Sequence, residues 1–182
     1  MDSLIGGFVL ALVTQVGARP TWLLAILADR HAGRWLLAGA AAAHGVLAMI
    51  AVTAAIAVAP ELPGALRGLL LGLSLVAVAA GMLWPMRTPA DRLAQGRGGA
   101  FAGAAIGVAV LALGDRTQLL IFAVSVEGSS PLLAGVGGAA GAVVAAVPAL
   151  SLGEAGWRSL PWRRIDAAGA LILASWGAAA LL

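Results

Sequence analysis

The sequence predicts an all-α, polytopic membrane protein: six transmembrane helices arranged as two inverted three-helix repeats. Three observations carry this expectation. The 182-residue chain is 62% hydrophobic and only 10% charged, whereas soluble domains average about a quarter charged residues. Its apolar residues come in long runs separated by short Pro- and Gly-marked connections. The second half also repeats features of the first in the same order. Helices are the expected element, because strand-type alternation is absent and an open sheet cannot satisfy its backbone in lipid.

A bilayer core takes about 20 apolar residues per helix. The first expected span runs from Leu4 to Ala28, interrupted by Arg19 and Pro20, where a mid-helix proline would remove a donor and kink the span. The second runs from Trp35 to Ala59 and the third from Gly68 to Met86. The fourth, Gly99 to Val126, carries Asp115 and Arg116 side by side. The fifth runs from Pro131 to Leu152 and the sixth from Trp162 to Leu182. "MDSLIGG" has no basic n-region, so the first run reads as a retained span and not as a signal peptide.

All basic residues are arginine. Arg30, Arg34, Arg87, Arg92, Arg97, Arg158, Arg163 and Arg164 fall on one side of the six-span layout, and only Arg67 on the other. The positive-inside rule puts the Arg-rich side in the cytoplasm. Both termini then face the periplasm of a bacterial inner membrane, a source suggested by the Ala, Gly and Arg usage. Most tryptophans, Trp22, Trp35, Trp84, Trp157 and Trp162, fall near expected interfaces, and Trp176 falls deeper.

The repeat is visible in residues. "WLLAGAAAAHG" from Trp35 resembles "PLLAGVGGAAG" from Pro131. Gly17 and Gly114 share an offset, each inside a polar interruption, and Gly72 and Gly81 answer to Gly169 and Gly177. The expected division is a first repeat at 1–86, a cytoplasmic linker at 87–98 and a second repeat at 99–182. Three spans per half force the halves into opposite orientations, the layout of many secondary transporters with a site near the midplane.

Several function classes find no support. With no cysteine, disulfides, thiolate metal sites and cysteine nucleophiles are excluded. No GxSxG, HExxH, paired-carboxylate cluster or phosphate-cradling loop is present, so no enzyme activity is expected. The high pI comes from arginines at membrane faces and not from an aromatic-interleaved basic patch, so no nucleic-acid partner is expected.

Ionisable groups inside a span count as functional candidates, because they are costly unless paired or hydrated. The candidates are "TQVGARPTW", Thr14 to Trp22, and "ALGDRTQ", Ala112 to Gln118. Here "GDRTQ" resembles the second signature of the Gdt family, the transmembrane-protein-165 type of Mn2+/Ca2+ transporters. That family carries E-x-G-D-[KR]-[ST] once on the first helix of each half, and the resemblance extends over essentially the whole chain. It implies a secondary transporter exchanging Mn2+ or Ca2+ for protons. Carboxylates three apart on one helix face would offer hard oxygen ligands, and their protonation would release the metal. No resident cofactor is implied.

The chain departs from that pattern. Ala112 stands at the second Glu position, while Gly114, Asp115, Arg116, Thr117 and Gln118 match. In the first motif Gln15 stands for Glu, Ala18 for Asp and Pro20 for the hydroxyl residue, with Gly17 and Arg19 in place. Asp115 is the only carboxylate left, with Gln15, Thr117 and Gln118 as neutral oxygen donors along the ion path. Two readings of Asp115 stand side by side. In one it binds the cation; in the other Arg19 or Arg116 pairs with it and closes the site. His44 reads as a packing hydrogen bonder or a proton relay, and His31 as a solvated loop residue. Gly135, Gly138, Ala139 and Gly141 suit close helix packing. The expected partners are the bilayer, the transported ion and protons, with a homo- or hetero-oligomer open. The alternative function is a protein of the same fold with a lost or altered cation site, carrying a different ion or serving as a non-transporting subunit.

Overall fold

The computed structural model describes residues 3–84 and 99–182. The expected linker and the last two residues of the expected third span lie outside the described residues. Helices account for nearly all the rest. They are α1 (Ser3–Gln15), α2 (Arg19–Ala28), α3 (Gly33–Val58) and α4 (Gly64–Met82) in the first half. The second half holds α5 (Gly99–Ala112), α6 (Arg116–Glu127), α7 (Pro131–Arg158) and α8 (Trp162–Leu181). A 3-10 turn, Ala59–Glu61, follows α3.

Among the described residues, α3 with its trailing turn, α4, α7 and α8 are each long and apolar enough to cross a bilayer. The first and fourth expected spans are not single helices. Each is a broken pair, α1 with α2 bent by 66° and α5 with α6 bent by 70°, giving up to six spans if each pair is one. The cause is local. Gly17 and Gly114 adopt φ of 77° and 72°, left-handed values that a side chain disfavours. Proline is not the breaker: Pro20 lies in the first turn of α2, where its missing N–H costs nothing. The kink expected at Pro20 is therefore an interruption at Gly17.

Other helix ends have equally local reasons. α4 begins at Gly64, earlier than expected, because Pro63 opens the helix and its carbonyl accepts from Leu66 N and Arg67 N. α7 continues past Leu152 to Arg158, across a non-helical Gly153 with φ 64°. Asp29, at the end of α2, accepts from the Glu154 N–H that this interruption frees, at 3.2 Å. Glu154 in turn pairs with Arg158.

The helices pack as exchanged pairs. α1 and α2 lie along α7, and α5 and α6 lie along α3. α1 also meets α6, α2 meets α5, α3 meets α7, α4 meets α8, and α4 reaches α6. Contact between α1 and α7 is backbone to backbone. A Cβ on Gly137 would strike the Leu4 carbonyl, one on Gly141 the Phe8 carbonyl, and one on Gly7 the Ala134 carbonyl. Such small-residue seams let helices approach where lipid removes the hydrophobic drive to associate. Gly135 and Gly138 instead accommodate side chains, Val52 and Ile121.

Two large apolar clusters and two smaller ones fill the interior. Leu23, Leu24, Leu36 and Val108 belong to one large cluster, and Leu10, Leu75, Leu120 and Leu173 to the other. The outer surface is also apolar, with Val46, Met49, Ile106 and Leu171 exposed, as suits contact with lipid. Trp84 and Trp35 are exposed, at 81% and 53%. Trp157, expected near an interface, is packed inside the protein and does not face outward. It is buried at 1% exposure and lies tilted against Trp162, ring centroids 4.5 Å apart, and the Trp162 indole N–H donates to the Trp157 carbonyl.

Candidate functional site

The two interruptions are built alike and finished differently. At the first, Ala18 stands at the N-cap of α2 with no side-chain cap. The Thr21 hydroxyl instead serves carbonyls, placed to donate to those of Ala18 at 2.7 Å and Gln15 at 3.1 Å. At the second, Asp115 is the N-cap of α6, and its Oδ1 accepts from Gln118 N at 3.0 Å. The Gln118 Oε1 reaches back to accept from Gly114 N at 2.9 Å. This reciprocal arrangement is close to a capping box, and it holds the left-handed glycine in place.

The interruptions cross inside the protein. Thr14 and Thr117 meet hydroxyl to hydroxyl at 3.0 Å. Thr117 also donates to Gln15 Oε1 at 2.9 Å. Gln15 Nε2 lies 3.2 Å from His44 Nε2, which brings α3 into the same chain of hydrogen bonds. Gln118 Nε2 donates to the Leu47 carbonyl at 3.2 Å. Thr14, Gln15, Thr117 and His44 are all buried, so their polar groups need these partners. His31, by contrast, is exposed.

The expected residues therefore do come together, with one correction. Asp115 forms no ion pair with Arg19 or Arg116. The reason is the N-cap geometry. Asp115 is turned toward the Gln118 amide, while Arg116 begins the helix and projects away, as neighbours in a helical turn do. The Arg116 Nε donates across the crossing to the Thr14 carbonyl at 3.0 Å. Asp115 Oδ2 is left buried with no hydrogen-bond partner.

Asp115 faces two cavities. The larger, about 330 Å³, is lined by Arg19, Pro20, Trp84, Gly114, Asp115 and Arg116, among others. The smaller, about 10 Å³, lies on the other side among His44, Asp115, Thr117 and Gln118. That is near the least volume that holds one water. Of the expected oxygen donors, Gln15 and Gln118 already accept from protein groups. Among the described residues no group of three or more His, Cys, Asp or Glu is placed to hold a metal ion.

One site residue escaped the sequence reading. Asp166, on the first turns of α8, brings its Oδ1 beside the first interruption, 3.2 Å from where a Gly17 Cβ would stand. Its Oδ1 is buried without a hydrogen-bond partner, as is Arg116 Nη2. The available signal was an acidic residue inside the sixth expected span, a position that is functional by default.

The architecture is thus that of an all-α, polytopic membrane protein with a polar crossing between two broken helices. No protein-family model, curated protein or solved structure matches the chain significantly.

Proposed function

We propose that the chain is a secondary transporter of the Gdt type, moving a divalent cation, Mn2+ or Ca2+, in exchange for protons, with Asp115 as its one charged ligand. The carrying observation is the unpartnered Asp115 Oδ2, buried where the two broken helices cross, on a residue that lines two cavities. A buried carboxylate oxygen without a partner is costly, and a cation or proton relieves that cost. Protonation of the same carboxylate competes with the cation, which couples the two.

The inverted repeat belongs to this reading. Gly17 and Gly114 hold equivalent left-handed breaks, and the chain resumes as helix at Arg19 and Arg116. Exchanging the two halves maps α1–α7 onto α5–α3, α2–α7 onto α6–α3, and α1–α6 onto α5–α2. The α4–α6 packing departs from the pattern. Broken helices meeting at such an axis suit a site that opens to alternate sides.

A second reading is favoured by the cavity lining. Arg19 and Arg116 share the larger cavity with the single acid, a balance better suited to a monovalent or anionic cargo than to a bare divalent ion. Proteoliposomes with an internal metal indicator and an imposed pH gradient separate the two. Gradient-dependent Mn2+ or Ca2+ uptake that falls to the empty-vesicle level in Asp115→Asn supports the first. Wild-type vesicles no faster than empty ones, or an Asp115→Asn protein as fast as wild type, would sink it. Uptake of a labelled anion in the same vesicles would support the second.

A further inference from the structure

Arg116 raises a question that the transport reading leaves open. A guanidinium next in sequence to the only carboxylate of the crossing should neutralise it, yet the two do not pair. Something holds Arg116 elsewhere. Its Nε is tied to the Thr14 carbonyl at 3.0 Å, which turns the group toward the first interruption. Asp166 approaches that same interruption from α8, its Oδ1 beside Gly17. Arg116 Nη2 and Asp166 Oδ1 are both buried, and neither has a hydrogen-bond partner. Asp115 and Arg116 line the large cavity, while Asp166 stands behind, against Gly17.

We propose that Asp166 is the counter-charge of Arg116, and that this positioning residue holds the guanidinium off Asp115 so that Asp115 Oδ2 stays unpaired and can take up a cation. The effect on transport rests on the function proposed above; the pairing of charges does not. The arrangement needs no direct contact, because charges interact over longer distances in a poorly hydrated interior than in water. The first interruption carries Ala18 where the second carries Asp115, and an acid from another helix stands beside it.

Double-mutant cycles on the detergent-purified protein test the pairing without reference to transport. Thermal midpoints are compared for wild type, Arg116→Gln, Asp166→Asn and the double variant, and for the parallel cycle of Arg116→Gln with Asp115→Asn. The Arg116–Asp166 cycle is expected to depart from additivity by roughly 2–4 °C, and by more than the Arg116–Asp115 cycle. In the Asp166→Asn background the Arg116–Asp115 coupling should rise, because the guanidinium then turns to its neighbour. An additive Arg116–Asp166 cycle, or a stronger one with Asp115, overturns the proposal. If Asp166→Asn alone does not fold, the double variant is expected to fold, since removing both charges leaves none unpaired. Failure of both overturns it too. In vesicles, Asp166→Asn should raise the apparent KM for the cation about tenfold, equivalent to 1.4 kcal/mol, and Arg116→Gln added to it should recover most of that loss. Normal uptake by Asp166→Asn would overturn the positioning role. Wild-type vesicles that move no cation, alongside a coupled Arg116–Asp166 cycle, would sink the transport reading and leave the pairing standing.

Discussion

Thr14 and Thr117 meet hydroxyl to hydroxyl at 3.0 Å, although 103 positions of sequence separate them. Each lies one step from a helix break, and together they pin the breaks against each other. Thr117 is buried at 2% exposure and also serves Gln15, whose side chain has no solvent contact. Thr117→Val keeps the shape and removes the hydroxyl, leaving Gln15 Oε1 without its donor. The expected cost is about 1–3 kcal/mol, read from denaturant unfolding of the purified protein. Thr117→Ser, which keeps the donor, should lose less. Equal stability of Thr117→Val and wild type would show that these bonds do not hold the crossing.

Asp115 has two separable jobs. Oδ1 caps α6 through Gln118 N, while Oδ2 has no partner. Asparagine caps a helix about as well as aspartate, and alanine does not, at a cost of about 1 kcal/mol. Asp115→Asn is therefore expected to fold with nearly wild-type stability and yet lose cation uptake, and Asp115→Ala to lose both. Thermal midpoints measured beside uptake check the split. An Asp115→Asn protein as destabilised as Asp115→Ala would mean that the carboxylate matters to the fold alone.

Gly17 and Gly114 share a backbone conformation but not an environment. Around Gly114 an added Cβ meets nothing within 4 Å, whereas at Gly17 it would collide with the Trp162 ring. Gly114→Ala should cost about 1–2 kcal/mol, the left-handed penalty alone. Gly17→Ala should add an overpacking cost of about 1–3 kcal/mol. Unfolding of the two variants side by side gives the ranking, and a Gly114→Ala protein less stable than Gly17→Ala would contradict it.

The long apolar runs made the helices legible, since length and composition decide spans. The polar stretches around Gly17 and Gly114 were legible as interruptions, because lipid makes each ionisable residue stand out. The left-handed breaks were not, since a glycine and a nearby proline both predict a disturbance and only the backbone shows which one acts. The direction of Asp115 was also hidden. Adjacency in sequence suggested pairing with Arg116, but the N-cap turn sends the two side chains apart. Asp166 was passed over because it has no place in either repeated stretch; only the packing of α8 brings it to Gly17. The burial of Trp157 was hidden for a similar reason, as the helix runs on past Gly153 and packs the ring against Trp162.

The α1–α7 seam depends on the absence of side chains. Gly137→Ala would push a methyl into the Leu4 carbonyl, and a backbone atom cannot move aside as a rotamer can. The expected cost is about 1–3 kcal/mol or a failure to accumulate in the membrane. Gly45 is the control, because nothing lies within 4 Å of its Cβ position. Gly45→Ala should match wild type or gain up to about 1 kcal/mol from helix propensity. Comparable losses in both variants would mean that the seam is not the sensitive contact.

Orientation can be read directly, because the chain contains no cysteine and single introduced thiols report without background. Ser129, between α6 and α7, and His31, between α2 and α3, are both exposed and lie at opposite ends of the bundle. The arginine distribution predicts that the His31 end is cytoplasmic. A membrane-impermeant maleimide added to spheroplasts should then label Ser129→Cys and leave His31→Cys unlabelled until the membrane is opened. The reverse pattern would invert the topology, and with it the side from which the Arg19-lined cavity is reached. Labelling of both from outside would mean that the chain inserts in two orientations, so that no single direction of transport could be assigned to it.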